Sequence, residues 1–395
     1  MTQVSDKIVI VGGARTPVGA FGGALASVPN HELGAHATRH ALERSGVPAE
    51  DVDEFVYGCV GQVGGDAFIA RRVALAAGAR PSSTALAVNR LCGSGLQSIA
   101  TAAAELRAGD IRIAVAGGTE NMSRQPFLDY GARNGWRLGN HTQVDGTLSL
   151  VTDPWGDYPM GMTAETVAER FGISRESQDE FACESQRRAQ AALAAGEVAA
   201  EIAPLTVTER RTQRVVDADE HPRAGVTVEK LAGMRPAFRE GGSVTAGNSS
   251  GINDAGAAVV VTTGRVAAER GLTVLGELVG FATAGVEPEV MGYAPRYAVE
   301  KVLASTGLAL SDIGWVELNE AFAAQAVAVI RDTGLDPETT NPLGGAIAWG
   351  HPIGATGTIL TMRALLAQRR RSIEHSLVTM CIGGGQAVAA VFRAA

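Results

Sequence analysis

Apolar and polar positions along the chain fall into two alternating kinds of run. Short, nearly unbroken apolar runs read as strands buried on both faces. In the first part of the chain they cover Lys7–Val11, Val52–Val60, Thr84–Asn89 and Ile111–Gly117. Between them lie longer runs with helical spacing: His31–Ser45 ended by Gly46, Ala67–Ala77 ended by Gly78, and the small-residue run Gly93–Gly109. Glycine placed just after the last periodic position is a helix stop, because it adopts the left-handed backbone of the cap. The βαβα order predicts a largely parallel sheet covered by helices.

The pattern changes over 121–247, which holds most of the irregular tryptophan-, proline- and charge-bearing sequence, with helices predicted near Thr163–Phe171 and Arg175–Ala195. It reads as a long insertion. Strand character returns at Ala257–Thr262, and the first theme then repeats: strand Thr273–Ala282, helix Ala294–Thr306, strand Trp315–Leu318, helix Phe322–Thr333, helix Thr356–Gln368, strand Leu377–Ile382. The domain reading is a first half over 1–120, the insertion over 121–247, a return to the first half over 248–270 and a second half over 271–395. Each half places a glycine-flanked reactive residue, Cys92 or His351, ahead of a helix, and a glycine cluster at the end of the next strand. Two similar α/β domains that give strand ends and helix N-termini to one shared site account for this.

Composition narrows the function. With 46% hydrophobic and 19% charged residues the chain is too apolar to be disordered. No apolar run reaches the roughly 18 residues of a membrane-spanning helix, so no membrane association is expected. A net charge of −8 argues against a nucleic-acid partner, while leaving room for a small anionic ligand held by local arginines. The 49 glycines exceed an average share of roughly 7% and point to tight turns and close backbone approach. Cys59, Cys92, Cys183 and Cys381 form neither a disulfide framework nor a metal-ligand pattern. The expected setting is a reducing cytoplasm, with no metal, and neither terminus shows a targeting signal. No dinucleotide fingerprint and no phosphate-loop motif is present.

Several segments carry candidate chemistry. Cys92 lies in Asn89-Arg-Leu-Cys-Gly-Ser-Gly95 at a predicted helix start, where free N–H groups favour a thiolate. By itself it reads equally as a small core residue. His351 sits in Gly344–Gly357, with Pro352 after it, and is suited to exchange a proton with a thiol. Cys381 precedes Gly383-Gly-Gly385, whose N–H groups suit an oxyanion. Asn319 opens Asn-Glu-Ala-Phe-Ala323 and reads as an amide that orients a carbonyl or water, or as a helix cap. Gly247–Gly256 is a polar glycine-rich loop suited to a ligand chain, and Asp217–Arg223 offers a solvated surface arginine. Cys59 and Cys183 are read as structural.

Taken together, these blocks resemble the thiolase family, and specifically acetyl-CoA C-acetyltransferases. The matching segments are Asn89–Gln97, Gly117–Ser123, Thr245–Asp254, Asn319–Ala323, Gly344–Gly357 and Cys381–Gln386, in family order and over essentially the whole chain. The resemblance implies duplicated α/β domains in a layered α-β-α-β-α core, with an inserted loop domain. It implies a ping-pong acyltransferase of fatty acid metabolism that condenses two acetyl-CoA to acetoacetyl-CoA, or cleaves a 3-ketoacyl-CoA with coenzyme A. In that reading Cys92 carries the acyl group, His351 activates it and Cys381 is the second acid/base. Asn319 holds a water for one oxyanion hole, and the N–H groups of Cys92 and Gly383 form the other. For coenzyme A, a substrate rather than a tightly bound cofactor, the resemblance points to Ser250, Arg223, Met160 and Phe322, with Met291 lining the acyl pocket. Arg133–Asn140 is similar to a tetramerisation loop, which implies a homotetramer built as a dimer of dimers.

The chain departs from the family pattern at Pro159, Lys230, Leu343, Trp349 and Ala387. Lys230 adds an expected phosphate contact, and Trp349 is positioned to crowd the pocket. Asp219–Arg223 and Ala284–Pro288 also resemble degradative 3-ketoacyl and 3-oxoadipyl thiolases. A ketoacyl synthase is disfavoured by Cys381, and a non-catalytic acyl-CoA-binding homologue is the remaining alternative.

Overall fold

The computed structural model describes residues 7–209 and 212–395; the start of the chain, where the sequence predicts no targeting segment, lies partly outside them. The strands that build the main sheet are β1 (Ile8–Arg15), β2 (Glu54–Gly58), β3 (Thr84–Val88), β4 (Ile113–Asn121), β5 (Asn253–Thr263), β6 (Gly276–Gly285), β7 (Ile313–Leu318), β8 (His375–Ile382) and β9 (Gln386–Ala394). The helices that matter here are α1 (Asn30–Ser45), α2 (Ile69–Ala76), α3 (Ser94–Ala108), α4 (Gly161–Phe171), α5 (Arg175–Ala194), α6 (Pro295–Thr306), α7 (Ala323–Thr333) and α8 (Thr356–Arg371).

The strands run in the order β7-β8-β9-β6-β1-β5-β4-β2-β3, with the two-residue strand Gly19–Ala20 beside β5. The expectation of a largely parallel sheet is corrected. Only β2–β3, β2–β4 and β7–β8 are parallel, while β1–β5, β5–β4, β6–β9 and β8–β9 are antiparallel. The reason is that each half sends its last strand back between its first strand and the strand just before it. In the second half that strand is β9, which the sequence reading missed; it is joined to β8 by the tight turn Gly383–Gly385. Gly384 and Gly385 take φ of 83° and 81° there, a conformation that favours glycine.

The order β1-β5-β4-β2 with its parallel last pair is repeated by β6-β9-β8-β7, so the two halves are copies in topology. They join where Ile8–Ile10 of β1 pairs with Gly276–Leu278 of β6. The core explains the layering. Period-two alternation sends Ile8 and Ile10 to one face of β1 and Val9 and Val11 to the other. The first face meets α3 and α8, which lie between the half-sheets and share one cluster with Leu96, Ile99, Leu360, Met362, Val378 and Val388. The second face is covered by α1 and α2. On the far side of the other half-sheet, α6 and α7 cover Val316, Leu318, Leu377 and Val391. The resulting order is helix, sheet, helix, sheet, helix.

A middle layer enclosed on all sides requires small side chains, and α3 supplies Ala102 and Ala103 where it meets its neighbours. The starts of α3 and α8 touch. A Cβ on Gly95 would lie 2.8 Å from Thr358 N, and one on Gly357 2.3 Å from Leu96 N. Thr358 Oγ1 also donates to Gly95 O at 3.0 Å. This contact places the segment before α3 beside the segment before α8.

Candidate active site

The residue before the first helix start carries the tightest local geometry. Leu91 has φ 45°, a left-handed conformation unusual outside glycine. The turn is held by local bonds: Leu91 N–H donates to Asn89 Oδ1 at 3.0 Å, Arg90 N–H to Ser94 Oγ at 2.9 Å, and Ser94 Oγ–H to Leu91 O at 2.6 Å. Cys92 therefore projects from a fixed corner, partly exposed, one residue ahead of the N-cap of α3. Burial pushes its thiol up to about 11, partly offset by the N–H groups of Gly383 and of Cys92 itself; the Glu120 carboxylate adds a further upward push. Backbone N–H groups near the sulfur suit a developing oxyanion.

His351 is 5% exposed and comes from the loop before α8. The helix begins at Thr356, as the sequence reading placed it, and the turn between His351 and the helix is closed by Ala355 N–H on Pro352 O at 2.8 Å. Thr356 fixes the tautomer. Its hydroxyl donates to Pro352 O at 2.9 Å, so toward His351 Nδ1, 2.7 Å away, it can only accept. The ring proton sits on Nδ1, and Nε2 presents its lone pair. Asn319 Nδ2 lies 3.4 Å from Nε2. Burial lowers the His351 pKa to about 4, so the imidazole is neutral at neutral pH.

Asn319 follows β7, and its N–H donates to Thr379 O at 3.0 Å. Its buried Oδ1 has no hydrogen-bond partner among the described residues, which leaves an acceptor free for a substrate or water. Cys381 is 1% exposed near the end of β8, and its Sγ lies 3.9 Å from Gln325 Oε1. Burial, and then the neighbouring Cys92 sulfur, push its thiol well above the ordinary cysteine range. Cys381 is thus held as a neutral acid.

These groups open into one cavity of about 740 Å³. Cys92, His351, Cys381 and Gly383 line it, as do Ser250, Arg223, Met160, Lys230, Phe322 and Met291. Asn319 is not on the wall and reaches the site through His351. Around Cys92 the surface is apolar: Leu91, Met122, Leu150, Val151, Ile252 and Ile353 pack there. The wall carries no carboxylate, and its charged side chains are Arg223 and Lys230, both exposed at the rim. Lys230 Nζ donates to Gly225 O at 2.7 Å, and the Arg223 guanidinium has no carboxylate partner among the described residues. The loop bearing Ser250 runs against the segment after β7, with Ser250 N–H on Ala321 O and Ala323 N–H on Asn248 O, both at 2.9 Å.

One sequence expectation changes. Trp349 does not line the cavity; it is buried in the middle layer, where its Nε1–H donates to Leu343 O at 2.8 Å and Arg363 stacks on its ring. In Asp217–Arg223 the arginine is exposed as expected, while the Asp219 side chain is buried against Arg15. Sequence reasoning also missed supporting groups. Glu320 accepts from Ser185 Oγ at 2.6 Å, Asn341 Nδ2 at 2.8 Å and Ile347 N–H at 3.3 Å, anchoring the approach to His351. Glu320, Thr356 and Asn253 all lie inside segments noted in the sequence, and their signal was a polar residue kept amid apolar or glycine-rich neighbours. Among the described residues no cluster of side chains is suited to a metal.

Comparison with known proteins agrees over the full chain. Residues 8–265 match the family model of the thiolase N-terminal domain, and residues 272–394 that of the thiolase C-terminal domain. The chain is 47% identical over 392 residues to the β-ketothiolase BktB of Cupriavidus necator, covering 99% of this chain and 100% of that protein. Among solved structures it is similar to Bacillus anthracis acetyl-CoA acetyltransferase, with a TM-score of 0.97 and 41% identity over 99% of both chains. It is also similar to human mitochondrial 3-ketoacyl-CoA thiolase in complex with CoA, with a TM-score of 0.95 and 37% identity over 99% of this chain and 98% of that one.

Proposed function

Because the chain belongs to the thiolase family, and is a thiolase that makes or cleaves 3-ketoacyl-CoA by acyl transfer, we propose that Cys92 is its acyl-carrying nucleophile. The observation that carries this is the tautomer of His351. Thr356 holds Nδ1–H, so Nε2, which accepts from Asn319 Nδ2 at 3.4 Å, is the basic nitrogen of a ring that lines the same cavity as Cys92. A thiol pushed up to about 11 is a poor nucleophile until a base takes its proton, and the neutral imidazole is that base. The thiolate adds to the thioester carbonyl, the N–H groups of Cys92 and Gly383 hold the oxyanion, and the coenzyme thiolate departs protonated. In thiolysis the neutral Cys381 thiol supplies the α-proton to the departing enolate; in condensation Cys381 first gives its proton to the coenzyme thiolate that leaves, and its own thiolate then takes the α-proton from the second acyl-CoA. A water held by Asn319, together with the protonated His351, polarises the carbonyl of that second step.

Arg223 and Lys230 at the rim suit the phosphates of coenzyme A, while Met160, Ser250 and Phe322 flank the path of its pantetheine arm and Met291 faces the acyl end. The wall near Cys92 offers no cation to a terminal carboxylate, which favours an unsubstituted acyl chain over a 3-oxoadipyl one. The test is thiolysis across a chain-length series with a dicarboxyl substrate, and mass spectrometry of the acyl-enzyme. Acylation at Cys92 and a kcat/KM at least tenfold higher for acetoacetyl-CoA than for the dicarboxyl substrate are expected. Acylation elsewhere, or the reverse order of substrates, overturns the reading.

The cysteines are all free thiols, which suits a reducing cytoplasm, and no helix among the described residues is long and apolar enough to cross a membrane. A homotetramer is supported by two surfaces. One is the edge strand β3, paired on one side only, with Leu86 exposed; the other is the segment bearing exposed Tyr130, Trp136 and Leu138. Light scattering that returns the mass of a single chain would sink the tetramer.

A further inference from the structure

The structure builds three acidic or basic side chains of Asp219–Arg223 into the fold. Asp219 takes Arg15 through both oxygens and accepts from Val18 N–H at 2.7 Å. Glu220 accepts from the N–H groups of Ala20 and Ala24 at 2.9 Å. His221 lines the cavity, two residues from Arg223, and has no part in the chemistry described above.

Its Nδ1 faces Asn253 Nδ2 at 3.4 Å. An amide nitrogen only donates, so Nδ1 accepts and the ring proton sits on Nε2. The Ile347 backbone carbonyl lies beside the ring and favours a proton on it. The same carbonyl accepts from Gln186 Nε2 at 3.1 Å, and Gln186 Oε1 accepts from Arg223 N–H at 2.9 Å. At the other end Asn253 Oδ1 accepts from His351 N–H at 2.9 Å. The approach there is close: Gly350 has φ 90°, and a Cβ on it would lie 2.4 Å from Asn253 Oδ1. Two hydrogen-bonded runs, from the Arg223 backbone through Gln186 to Ile347 O and from His221 through Asn253 to the His351 backbone, thus meet where the Ile347 carbonyl stands beside the His221 ring. Burial, and then the Arg223 charge, lower the His221 pKa and favour the neutral form that the bond from Asn253 needs.

We infer that His221 is a positioning residue: it joins the rim that takes the phosphates of coenzyme A to the loop that carries the catalytic imidazole, so that substrate docking and the placement of His351 depend on one hydrogen-bonded unit. The inference rests on the assignment of Cys92 and His351 made above. Iodoacetamide separates the possibilities, because it alkylates Cys92 without using the coenzyme rim. Alkylation of Cys92 is followed by mass spectrometry at pH 7, beside kcat and KM for thiolysis of acetoacetyl-CoA, in the wild type, His221→Ala and His221→Gln. The alanine variant is expected to alkylate at least about fivefold more slowly and to lose at least about tenfold in kcat, in the range of a displaced general base. The glutamine variant, whose amide can accept from Asn253 and donate to Ile347, is expected to recover most of both.

Alkylation at the wild-type rate with a loss confined to KM makes His221 a coenzyme contact and overturns the inference, as does an alanine variant equal to the wild type. Should the alanine variant fail to fold by circular dichroism, His221→Asn, whose shorter amide cannot span both partners, takes its place under the same criteria. A wild-type enzyme that is neither alkylated nor acylated at Cys92 removes the underlying assignment instead.

Discussion

Cys92, His351 and Cys381 are all neutral in the resting site, and burial is the leading cause at each. Neutrality suits them to different tasks. A neutral imidazole is ready to accept a proton, and a thiol held above its ordinary range is ready to give one. The two thiols are told apart by their surroundings: Cys92 has the Gly383 N–H and its own at the sulfur, while Cys381 has the side-chain oxygen of Gln325 at 3.9 Å. Only the first is equipped to stabilise an oxyanion. Cys381→Ala is therefore expected to acylate at Cys92 to full stoichiometry by intact mass. The same variant should exchange the α-protons of acetyl-CoA with deuterated water at least about a hundredfold more slowly, the usual scale of a lost acid/base. Exchange at the wild-type rate would show that Cys381 has been given the wrong task.

At the scale of elements, the site exists because the ends of β4 and β2 touch the loop before α8. A Cβ on Gly118 would lie 1.9 Å from Gly354 O, with no flexible side chain to yield. Glu120, two residues on, accepts from Val60 N–H at 2.9 Å and Gly61 N–H at 3.0 Å, and a Cβ on Gly354 would meet its carboxylate at 2.6 Å. Gly118→Ala is expected to push the His351 loop away from Cys92. It should cost on the order of 3 kcal/mol of stability by overpacking and more than tenfold in kcat, read by denaturant titration and by thiolysis. A variant with both unchanged would mean that the halves tolerate a wider gap. This contact also shows what the sequence revealed and what it withheld. Strand and helix positions in both halves were legible, because apolar runs bounded by glycine stops are local signals. The residues proposed as catalytic stood out because glycine clears the backbone around them. The antiparallel return of β5 and β9 was not, since strand direction depends on which distant segments pair. The sequence reading of Trp349 failed for a related reason. Chain proximity to His351 suggested the pocket, while Arg363 on its ring and Leu343 O at its indole hold it in the core.

The whole molecule is joined by a buried polar network as well as by its core. Arg15 of β1 binds Glu201 at 2.9 Å and Asp219 at 2.6 Å, both from the insertion, and Arg363 of α8 binds Glu201 at 3.1 Å. Two guanidinium groups and two carboxylates balance, so both halves and the insertion are tied without net charge. Glu317 of β7 stands beside this balanced set. One oxygen accepts from Trp315 Nε1–H at 2.7 Å, and the other has no hydrogen-bond partner among the described residues. Burial pushes its pKa up to about 8, against a partial downward pull from Arg363 and an upward push from Glu201 and Glu320. A fifth charge would be uncompensated, so the carboxyl keeps its proton near neutrality. The folded pKa lies above the unfolded one, so the folded chain holds the extra proton between about 4.5 and 8. The contribution to stability is full below that window and is lost as pH rises through it. Glu317→Gln imitates the protonated form at every pH. The variant is thus expected to gain on the wild type as pH goes from 5 to 9, by an amount on the order of 4 kcal/mol at most, with the difference in melting temperature growing steadily. A difference that stays flat or shrinks would mean that Glu317 is ionised and that the network carries a net negative charge.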